Sequence, residues 1–508
     1  MAPGDHLRHR RGMPPAPTHE LTDDAVSTRA LASFLGLGVA FDVALNGQRP
    51  GLSIPLFVML LVAVVARWIR HDHEDDLLLG AALLLSIFPA LRASEGLIAA
   101  DVLAAGALLA LAAAKDERGA FRTTVESLFR RAGHVLLALL RVPAAVLAPA
   151  AGIAGRLPLG RWRGVVRGLA IAAPVVAVFA ALLASADAVF GELLIPSLPS
   201  LDLGGAVGHV GLTMAGVAGV ATLWLASRKP VTPGFPDQTS LLPRLHAADA
   251  GAVLVGIDVL FLLFVGVQFA VLFGGHERVE VTPGLTYAEY ARSGFFQLIA
   301  VAGLAVAVIL AAWDMGDRRE QRHQRWFRGL VTLMVALTGV ILASALMRLA
   351  LYEQTFGFTV NRLAGYLTIG FIGFVLLALV VAIWAGARER VVASLLVGVL
   401  LTLIAANVIN PERFVAERNA SRYERTGAID VAYLGFALGA DAVPVMADLL
   451  PRLDEPDAST LRAALCEQLR RLEHEPGWRS ANLGRSGARD ALARAGIGPA
   501  SCGEPVLG

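Results

Sequence analysis

Eleven long apolar stretches, separated by short polar segments, run through the chain from about residue 25 to residue 410. Each is close to the roughly 20 residues that a helix needs to cross the hydrocarbon core of a bilayer. Only helices and closed barrels satisfy their backbone hydrogen bonds inside lipid, and stretches of this length favour helices. The pattern therefore predicts an all-α fold, a polytopic helical transmembrane bundle of about 11 spans within residues 27–410. The predicted spans are 27–46, 52–70, 76–94, 96–114, 165–186, 204–227, 250–273, 295–313, 329–349, 363–385 and 391–409.

The two ends of the chain are less apolar than the region between them. Residues 1–26 hold Pro, His, Arg and Asp without an apolar run, which predicts a disordered cytoplasmic tail. Residues 411–508 carry apolar positions at helical spacing, in DVAYLGFALGADAVPVMADLLPRLD and in STLRAALCEQLRRLEHEPGW. This pattern predicts a small C-terminal helical region, in which Pro444 falls in the first turn of its helix.

Basic residues are distributed unevenly between the predicted loops. They are concentrated after the second, fourth, sixth, eighth and tenth spans. The other loops hold only Arg49, Arg92, Arg278, Arg292, Arg348 and Arg362. Short loops rich in Lys and Arg stay on the cytoplasmic side of a membrane. The alternation predicts a multi-pass protein of the cell (plasma) membrane with a cytoplasmic N-terminus and, because the span count is odd, an extracytoplasmic C-terminus.

The segment 115–164 is the most basic of these loops and has two interpretations. Its part 132–155 is apolar, but His134, Arg141, Pro143 and Pro149 interrupt it. A central Arg costs about 2.5–3.5 kcal/mol in a membrane span. We therefore predict that the segment lies on the cytoplasmic leaflet with its arginines on anionic lipid headgroups, and a twelfth crossing is the alternative.

The composition supports residence in a membrane. The chain has 508 residues, of which 56% are hydrophobic and only 17% charged, too few polar groups to cover a water-soluble fold of this size. Among 44 basic residues only Lys115 and Lys229 are lysine, a bias typical of a GC-rich bacterial genome. Both cysteines, Cys466 and Cys502, lie in the C-terminal region and can pair only if it faces an oxidising compartment.

Two acidic residues fall inside predicted spans, Asp101 in the fourth and Asp258 in the seventh. Ionisable groups inside a bilayer are costly, so each is a candidate for accepting a proton or a cation. The alternative is structural: each hydrogen-bonds a neighbouring helix or lies close enough to the headgroups to be solvated.

Polar and aromatic residues accumulate in three segments that the topology places on the outer side of the membrane. We call this set the outer polar cluster. It consists of Tyr287, Glu289, Tyr290, Arg292, Arg348, Tyr352, Glu353, Arg362, Asn410, Arg418, Asn419 and Arg422. Such residues form either an extracytoplasmic pocket or, more simply, an interfacial aromatic belt with ion pairs that tie helices together.

No sequence motif assigns a reaction. HExxH, GxSxG and Walker motifs are missing from the sequence, and we predict no cofactor, no metal site and no nucleic-acid partner. The pattern favours a non-enzymatic protein that transports, senses or scaffolds. The alternative is a membrane enzyme acting on a lipid-linked substrate at the outer leaflet, with Glu289, Glu353 and Asp430 as possible acids. A third possibility is a bundle whose polar groups are purely structural.

Three stretches carry a resemblance to a known family. They are TYAEYARSGFFQL, RLALYEQTFGFTVNRL and NPERFVAERNASRYERTGAIDVAYLGFALGADAVP. These segments resemble a bacterial multi-pass membrane family known as domain of unknown function 4173, with the related 4153, over roughly residues 30–450. The resemblance implies an integral membrane protein with this layout, and it supplies no catalytic residues.

Overall fold

A computed structural model describes residues 26–68, 73–114, 119, 121, 125–154, 203–228, 247–273, 295–315, 321–387, 390–473 and 477–502. This portion of the chain is helical and contains no strand, which confirms the predicted all-α class. Within the described ranges, eleven helices precede residue 410. They are α1 (Thr28–Leu45), α2 (Ser53–Val65), α3 (His73–Leu91), α4 (Glu95–Ala113), α5 (Val125–Ala154), α6 (Leu203–Arg228), α7 (Ala247–Phe273), α8 (Phe295–Met315), α9 (Gln321–Phe356), α10 (Val360–Ala385) and α11 (Arg390–Ile409).

Helices long and apolar enough to cross a membrane recur along the chain. Within the part of the chain that the structure describes there are six, namely Thr28–Leu45, Glu95–Ala113, Gly208–Arg228, Gln321–Phe356, Val360–Ala385 and Arg390–Ile409. Three shorter apolar helical segments accompany them, Ser53–Val65, Gly251–Gly266 and Gln297–Trp313. The protein is therefore a multi-pass helical membrane protein, whereas the number of eleven spans stays a prediction. The predicted span 165–186 lies outside the described residues.

The basic segment after the fourth span forms a long helix where the structure describes it. Residues 125–154 make one continuous helix, α5, in spite of Pro143 and Pro149. It is not among the helices that meet the length and hydropathy criteria for a span. The position of α5 on the cytoplasmic leaflet stays a prediction.

The chain divides into two compact units. One contains Met1–Val39 and Leu137–Leu225, and the other contains Ala40–Leu136 and Ala226–Gly508. In the first unit, the Phe34 ring packs edge-on against Trp224 with 5.7 Å between ring centroids. The second unit holds the residues discussed below.

Apolar side chains of the second unit both fill its interior and cover its outside. Helices α7 to α10 share a buried cluster that includes Phe261, Ile309, Met334 and Leu379. Large apolar side chains also point outwards, such as Leu377, which is 65% exposed. Helices that are apolar on all sides need an apolar solvent, so these outward faces fit contact with lipid tails.

The C-terminal part of the chain has its own core. We call residues 411–502 the C-terminal module. Its α-helices are α12 (Pro411–Thr426), α13 (Val443–Leu449), α14 (Asp457–Glu473), α15 (Leu483–Arg494) and α16 (Pro499–Cys502). Short helical turns occur at Tyr433–Ala437, Ala440–Ala442, Leu450–Arg452 and Trp478–Ser480. Pro444 lies in the first turn of α13, as its position in the sequence predicts.

A buried apolar cluster and a disulfide hold the C-terminal module together. Val415, Met446, Leu465 and Leu492 contribute to the cluster from four of its helices. Cys466 of α14 is bonded to Cys502 of α16, with 5.5 Å between their Cα atoms. The bond closes the end of the chain onto α14, which reduces the conformational freedom of the unfolded chain.

Close packing of α10 against α11 gives a test of the membrane bundle. A Cβ added at Gly398 would come within 2.9 Å of Phe374 Cδ1, whereas one added at Gly370 would meet nothing within 4 Å. We expect Gly398→Ala to lower the thermal unfolding midpoint of the detergent-purified protein, because overpacking costs about 1–3 kcal/mol. The matched control, Gly370→Ala, carries the same gain in helix propensity without the clash. Equal midpoints for the two variants would contradict this packing.

Candidate functional site

A sharp turn at Asn410 leads from α11 into the C-terminal module. Asn410 has a φ of 56°, in the left-handed region. Asn adopts this conformation more readily than other residues with a side chain. Pro411 then begins α12, where the missing backbone N–H costs nothing. Asn410 of the outer polar cluster therefore serves the turn itself, which directs the module back towards the ends of the membrane helices.

The C-terminal module binds the connection between α1 and α2. The Arg479 guanidinium donates to the Val43 carbonyl at 2.9 Å, and Arg485 donates to the Pro50 carbonyl at 2.9 Å. The Leu52 N–H donates to the Ala481 carbonyl at 2.9 Å. Gly51 lies so close to Ser480 and Ala481 that a Cβ there would come within 2.8 Å of their backbones. The contact therefore depends on the backbone of Gly51 lying directly against the backbones of Ser480 and Ala481.

The connection between α3 and α4 is bound in the same way. Asn482 donates through Nδ2 to the carbonyls of Pro89 and Arg92, at 2.8 and 2.7 Å. Asp441 accepts from the Ala93 N–H at 2.8 Å through Oδ2. The last carbonyls of a helix lack partners within that helix. Asn482 supplies a hydrogen-bond donor for such a carbonyl, that of Pro89, at the end of α3.

The connection between α9 and α10 forms a third contact. Asn419 of α12 accepts from the Phe358 N–H at 2.9 Å and donates to the Phe358 carbonyl at 2.8 Å. The Val360 N–H donates to the Tyr433 hydroxyl at 2.9 Å, and Arg422 donates to the Thr355 carbonyl at 3.0 Å. The C-terminal module thus contacts three helix connections, and all three belong to the set that the charge pattern assigns to one side of the membrane.

Other members of the outer polar cluster meet beside this third contact. The Arg362 guanidinium donates to the Gly357 carbonyl and lies over the Tyr352 ring, 4.1 Å from its centroid. Glu353 accepts a hydrogen bond of 2.7 Å from the Tyr366 hydroxyl. These side chains are engaged with each other and with backbone groups, as in the structural interpretation of the cluster.

The remaining members of the outer polar cluster are more scattered. The Arg418 guanidinium lies over the Phe414 ring, 5.1 Å from its centroid. Arg348 is a half-buried residue within α9. Tyr287, Glu289, Tyr290 and Arg292 lie outside the described residues.

A pair of buried carboxyl groups lies at the second contact, and sequence reasoning did not single it out. Glu412 is 9% exposed and Asp441 is 4% exposed. The pKa of Glu412 is raised from 4.5 to about 7, mainly by burial and also by the Asp441 and Glu95 charges, although hydrogen bonds from Ser94 and Gly439 act in the opposite direction. Among the described residues, Glu412 Oε2 has no hydrogen-bond partner. We call Glu412 and Asp441 the junction carboxyl pair.

The partners of Asp441 limit how far its ionisation is disfavoured. Burial raises the pKa of the Asp441 carboxyl, while backbone N–H groups of Ala93 and Ser94 and the charges of Arg92 and Arg485 lower it. Both carboxyls accept hydrogen bonds, but Asp441 also has the charges of Arg92 and Arg485 near it, whereas the charges that act on Glu412 are those of Asp441 and Glu95. Of the two carboxyls, Glu412 is the one whose ionised form is poorly compensated, so it is the group that takes up a proton near neutral pH.

A chain of polar contacts links this junction to Asp101 inside α4. The Arg92 Nε donates to the Asn407 carbonyl at 2.7 Å. The Asn407 side chain donates to both carboxylate oxygens of Asp101 at 3.0 Å. Asp101 lies six residues into α4, about 9 Å below its first residue at 1.5 Å per residue. Asp101 therefore makes a hydrogen bond to a neighbouring helix, which is the structural alternative to proton or cation binding.

Asp258 has a different environment. It is 2% exposed and lies on the same face of α7 as Leu254, Phe261 and Val265 of the buried cluster. Neither carboxylate oxygen has a hydrogen-bond partner in the described part of the chain. A carboxylate without donors in an apolar interior is strongly disfavoured, so the environment favours its neutral, protonated form. Asp258 thus differs from Asp101, whose carboxylate accepts from Asn407.

The described residues of the junction and of the bundle form no metal site. No group of three or more His, Cys, Asp or Glu side chains in the described ranges is arranged to hold a metal ion.

The residues of the junction that sequence reasoning missed are Arg92, Ser94, Glu412, Asp441, Asn482 and Arg485. Glu412 and Asp441 stand within the third family-like stretch, but nothing in their spacing indicates that they meet.

The architecture defines a multi-pass helical membrane protein whose C-terminal helical module contacts the connections between its membrane helices. The chain belongs to the family named domain of unknown function DUF4153, whose model matches residues 79–449. The match covers the connections between α3 and α4 and between α9 and α10, together with both members of the junction carboxyl pair. The likeness to family 4173 stays a prediction. No curated protein and no solved structure matches the chain.

Two glycines of α15 provide a test of the junction. A Cβ at Gly484 would collide with Asp441 Oδ1, whereas a Cβ at Gly487 would meet nothing within 4 Å. We expect Gly484→Ala to displace Asp441 from the Ala93 N–H and to increase hydrogen–deuterium exchange at residues 92–94. Gly487→Ala, on the same helix, leaves exchange unchanged. Equal exchange in the two variants would contradict the described junction.

Proposed function

We propose that the protein is a non-enzymatic membrane protein that senses conditions at one membrane face through its C-terminal module. The observation that carries the proposal is the junction carboxyl pair, which is buried where the module meets the connection between α3 and α4. In this proposal the ionisation of Glu412 sets how tightly the module binds the membrane helices.

The direction of the response follows from the environment of Glu412. Its pKa is raised from 4.5 to about 7 in the docked structure, so the docked state binds a proton more tightly than a detached module does. Docking is strongest below about pH 4.5, weakens as the pH rises towards about 7, and is constant above that. A difference of this size corresponds to about 3 kcal/mol. Acid therefore tightens the module onto the bundle, and higher pH loosens it.

The contacts beyond the pair indicate how a change of docking reaches the membrane helices. Asp441 bonds the backbone of Ala93, next to Arg92, and Arg92 bonds the backbone of Asn407 in α11. Asn407 in turn bonds Asp101 in α4. A shift of the connection between α3 and α4 changes the Arg92–Asn407 bond, and with it the packing of α4 against α11. This is a contiguous physical route, which is what coupling between two sites requires.

The substitution Glu412→Gln tests the sensing proposal. Glutamine reproduces the neutral form of Glu412, so the variant is expected to be more stable than the wild type at pH 8 and similar to it at pH 5. The thermal unfolding midpoint of the purified full chain from pH 5 to 8.5 measures this, together with hydrogen–deuterium exchange at residues 92–94.

The matched control for that experiment is Glu417→Gln. Glu417 lies on the same helix, is exposed, and pairs with Arg413 at 2.8 Å. Its substitution should leave the dependence of the midpoint on pH as in the wild type. If Glu412→Gln also keeps the full wild-type dependence, the junction carboxyl pair is not the sensing element.

We further propose that the C-terminal module lies on the extracytoplasmic side of the plasma membrane. Two independent observations support this orientation. The connections that contact the module are the ones poor in basic residues, which favours the outer side. The module also contains the Cys466–Cys502 disulfide, and disulfides persist in oxidising compartments.

Cysteine labelling tests the orientation directly. The two native cysteines are paired, so a membrane-impermeant maleimide reacts with introduced thiols. We expect Ser459→Cys, an exposed position on α14, to be labelled in intact cells. We expect Arg322→Cys, an exposed position at the start of α9, to be labelled only after permeabilisation. The reverse pattern would overturn the orientation without affecting the sensing proposal.

The alternative functions have less support from the geometry. Two of the acids considered for a membrane enzyme have structural partners, since Glu353 accepts from Tyr366 and Asp430 accepts from the Tyr433 N–H at 2.9 Å. The third, Glu289, lies outside the described residues. A proton-coupled transport role would rest on Asp258, whose carboxylate is buried among apolar side chains.

A further inference from the structure

The segment Trp478–Arg485 is fixed at the ends of α1 and α3. Arg479 bonds the carbonyl of Val43, which lies in the last turn of α1. Asn482 bonds the carbonyl of Pro89, in the last turn of α3. Arg479 and Asn482 flank residues 480 and 481 in the sequence. The two bonds therefore hold this part of the module level with the ends of α1 and α3.

Two large apolar side chains of this segment are exposed. Trp478 is 63% exposed and Leu483 is 65% exposed, and each is adjacent in sequence to one of the anchoring residues, Arg479 and Asn482. The rest of the segment is not loose, because Ser480, Asn482 and Arg485 are buried. Rigidly held apolar side chains that point away from the protein indicate a surface that something else covers.

The surroundings of the segment identify what covers it. Val43 and Leu52, whose backbones bond Arg479 and Ala481, are themselves 47% and 38% exposed apolar side chains at the ends of α1 and α2. Exposed apolar side chains therefore occur on both sides of these backbone contacts, on the helix ends and on the C-terminal module. The ends of membrane helices lie at the boundary between hydrocarbon and headgroups, where Trp is enriched because its ring is apolar and its N–H is polar.

We propose that Trp478 and Leu483 insert into the headgroup layer of the same bilayer that the helices cross, so that the C-terminal module is held by lipid as well as by protein. The surface is a lipid-binding site for the interfacial region of one leaflet. Arg479 lies beside Trp478, where a guanidinium is at the level of the lipid phosphates. The inference rests on the helices crossing the membrane, and it depends neither on which side the module faces nor on the sensing proposal.

Fluorescence quenching in lipid nanodiscs tests the proposal with the full chain. Because the native cysteines are paired, Trp478→Cys carries the one introduced thiol, which is labelled with an environment-sensitive nitrobenzoxadiazole dye. Lipids with a nitroxide near the headgroup end of the acyl chain are then added to the nanodisc. We expect this dye to lose emission in proportion to the nitroxide lipid and to be protected from aqueous iodide. A dye at Ser459→Cys, the matched control, is expected to respond to iodide and not to the lipid.

Leu483→Cys is a second, independent probe in case the first variant does not fold, and the same result is expected for it. If both dyes respond to iodide in the same way as the Ser459 control, the segment faces water and the proposal is wrong. If both are protected from iodide and from the lipid quencher, another protein surface covers the segment, which also overturns the proposal.

Discussion

The structure depends on satisfying the backbone groups where membrane helices end. A helix leaves its last carbonyls without partners, and chain connections add further unpaired N–H and C=O groups. In this protein the C-terminal module supplies the partners. Asn482 and Asn419 each bond two backbone groups of a connection, and Arg479 and Arg485 each bond a carbonyl of another. These contacts join the module to the bundle, and loss of the Asn482 and Asn419 bonds would leave buried polar atoms unpaired.

The junction carboxyl pair is placed where this arrangement is most sensitive. Glu412 follows the Asn410 turn directly, so its position is fixed by the exit from α11, and Asp441 is fixed by its bond to Ala93. The same turn that brings the module onto the bundle therefore buries a carboxyl without a full set of donors. Such a group destabilises docking when it is ionised. A contact tuned only for stability would be expected to replace it by a neutral side chain, and this contrast favours a role in response to conditions.

The exposed apolar segment beside Arg479 extends the same picture towards the lipid. The C-terminal module carries exposed ion pairs, such as Arg452–Glu424 at 2.6 Å. Its edge near α1 and α3 instead presents Trp478 and Leu483. The module thus has exposed ion pairs like those of a soluble domain, and near α1 and α3 it presents two exposed apolar side chains, which we propose contact lipid headgroups.

The sequence by itself determined the class of protein and most of the helices, because the length of an apolar run reports directly on the thickness of a bilayer. Helices such as Val360–Ala385 and Arg390–Ile409 lie within a few residues of their predicted bounds. It also identified Asp101, Tyr352, Arg362 and Asn419 as residues in need of an explanation. It did not reveal the partners of these residues. Asp101 meets Asn407 from 306 positions away, and Ala93 meets Asp441 from 348 positions away. Only the tertiary structure decided that Glu412 and Asp441 share a buried junction. Their burial and pairing depend on which helix ends are brought together, and a local sequence pattern does not determine that.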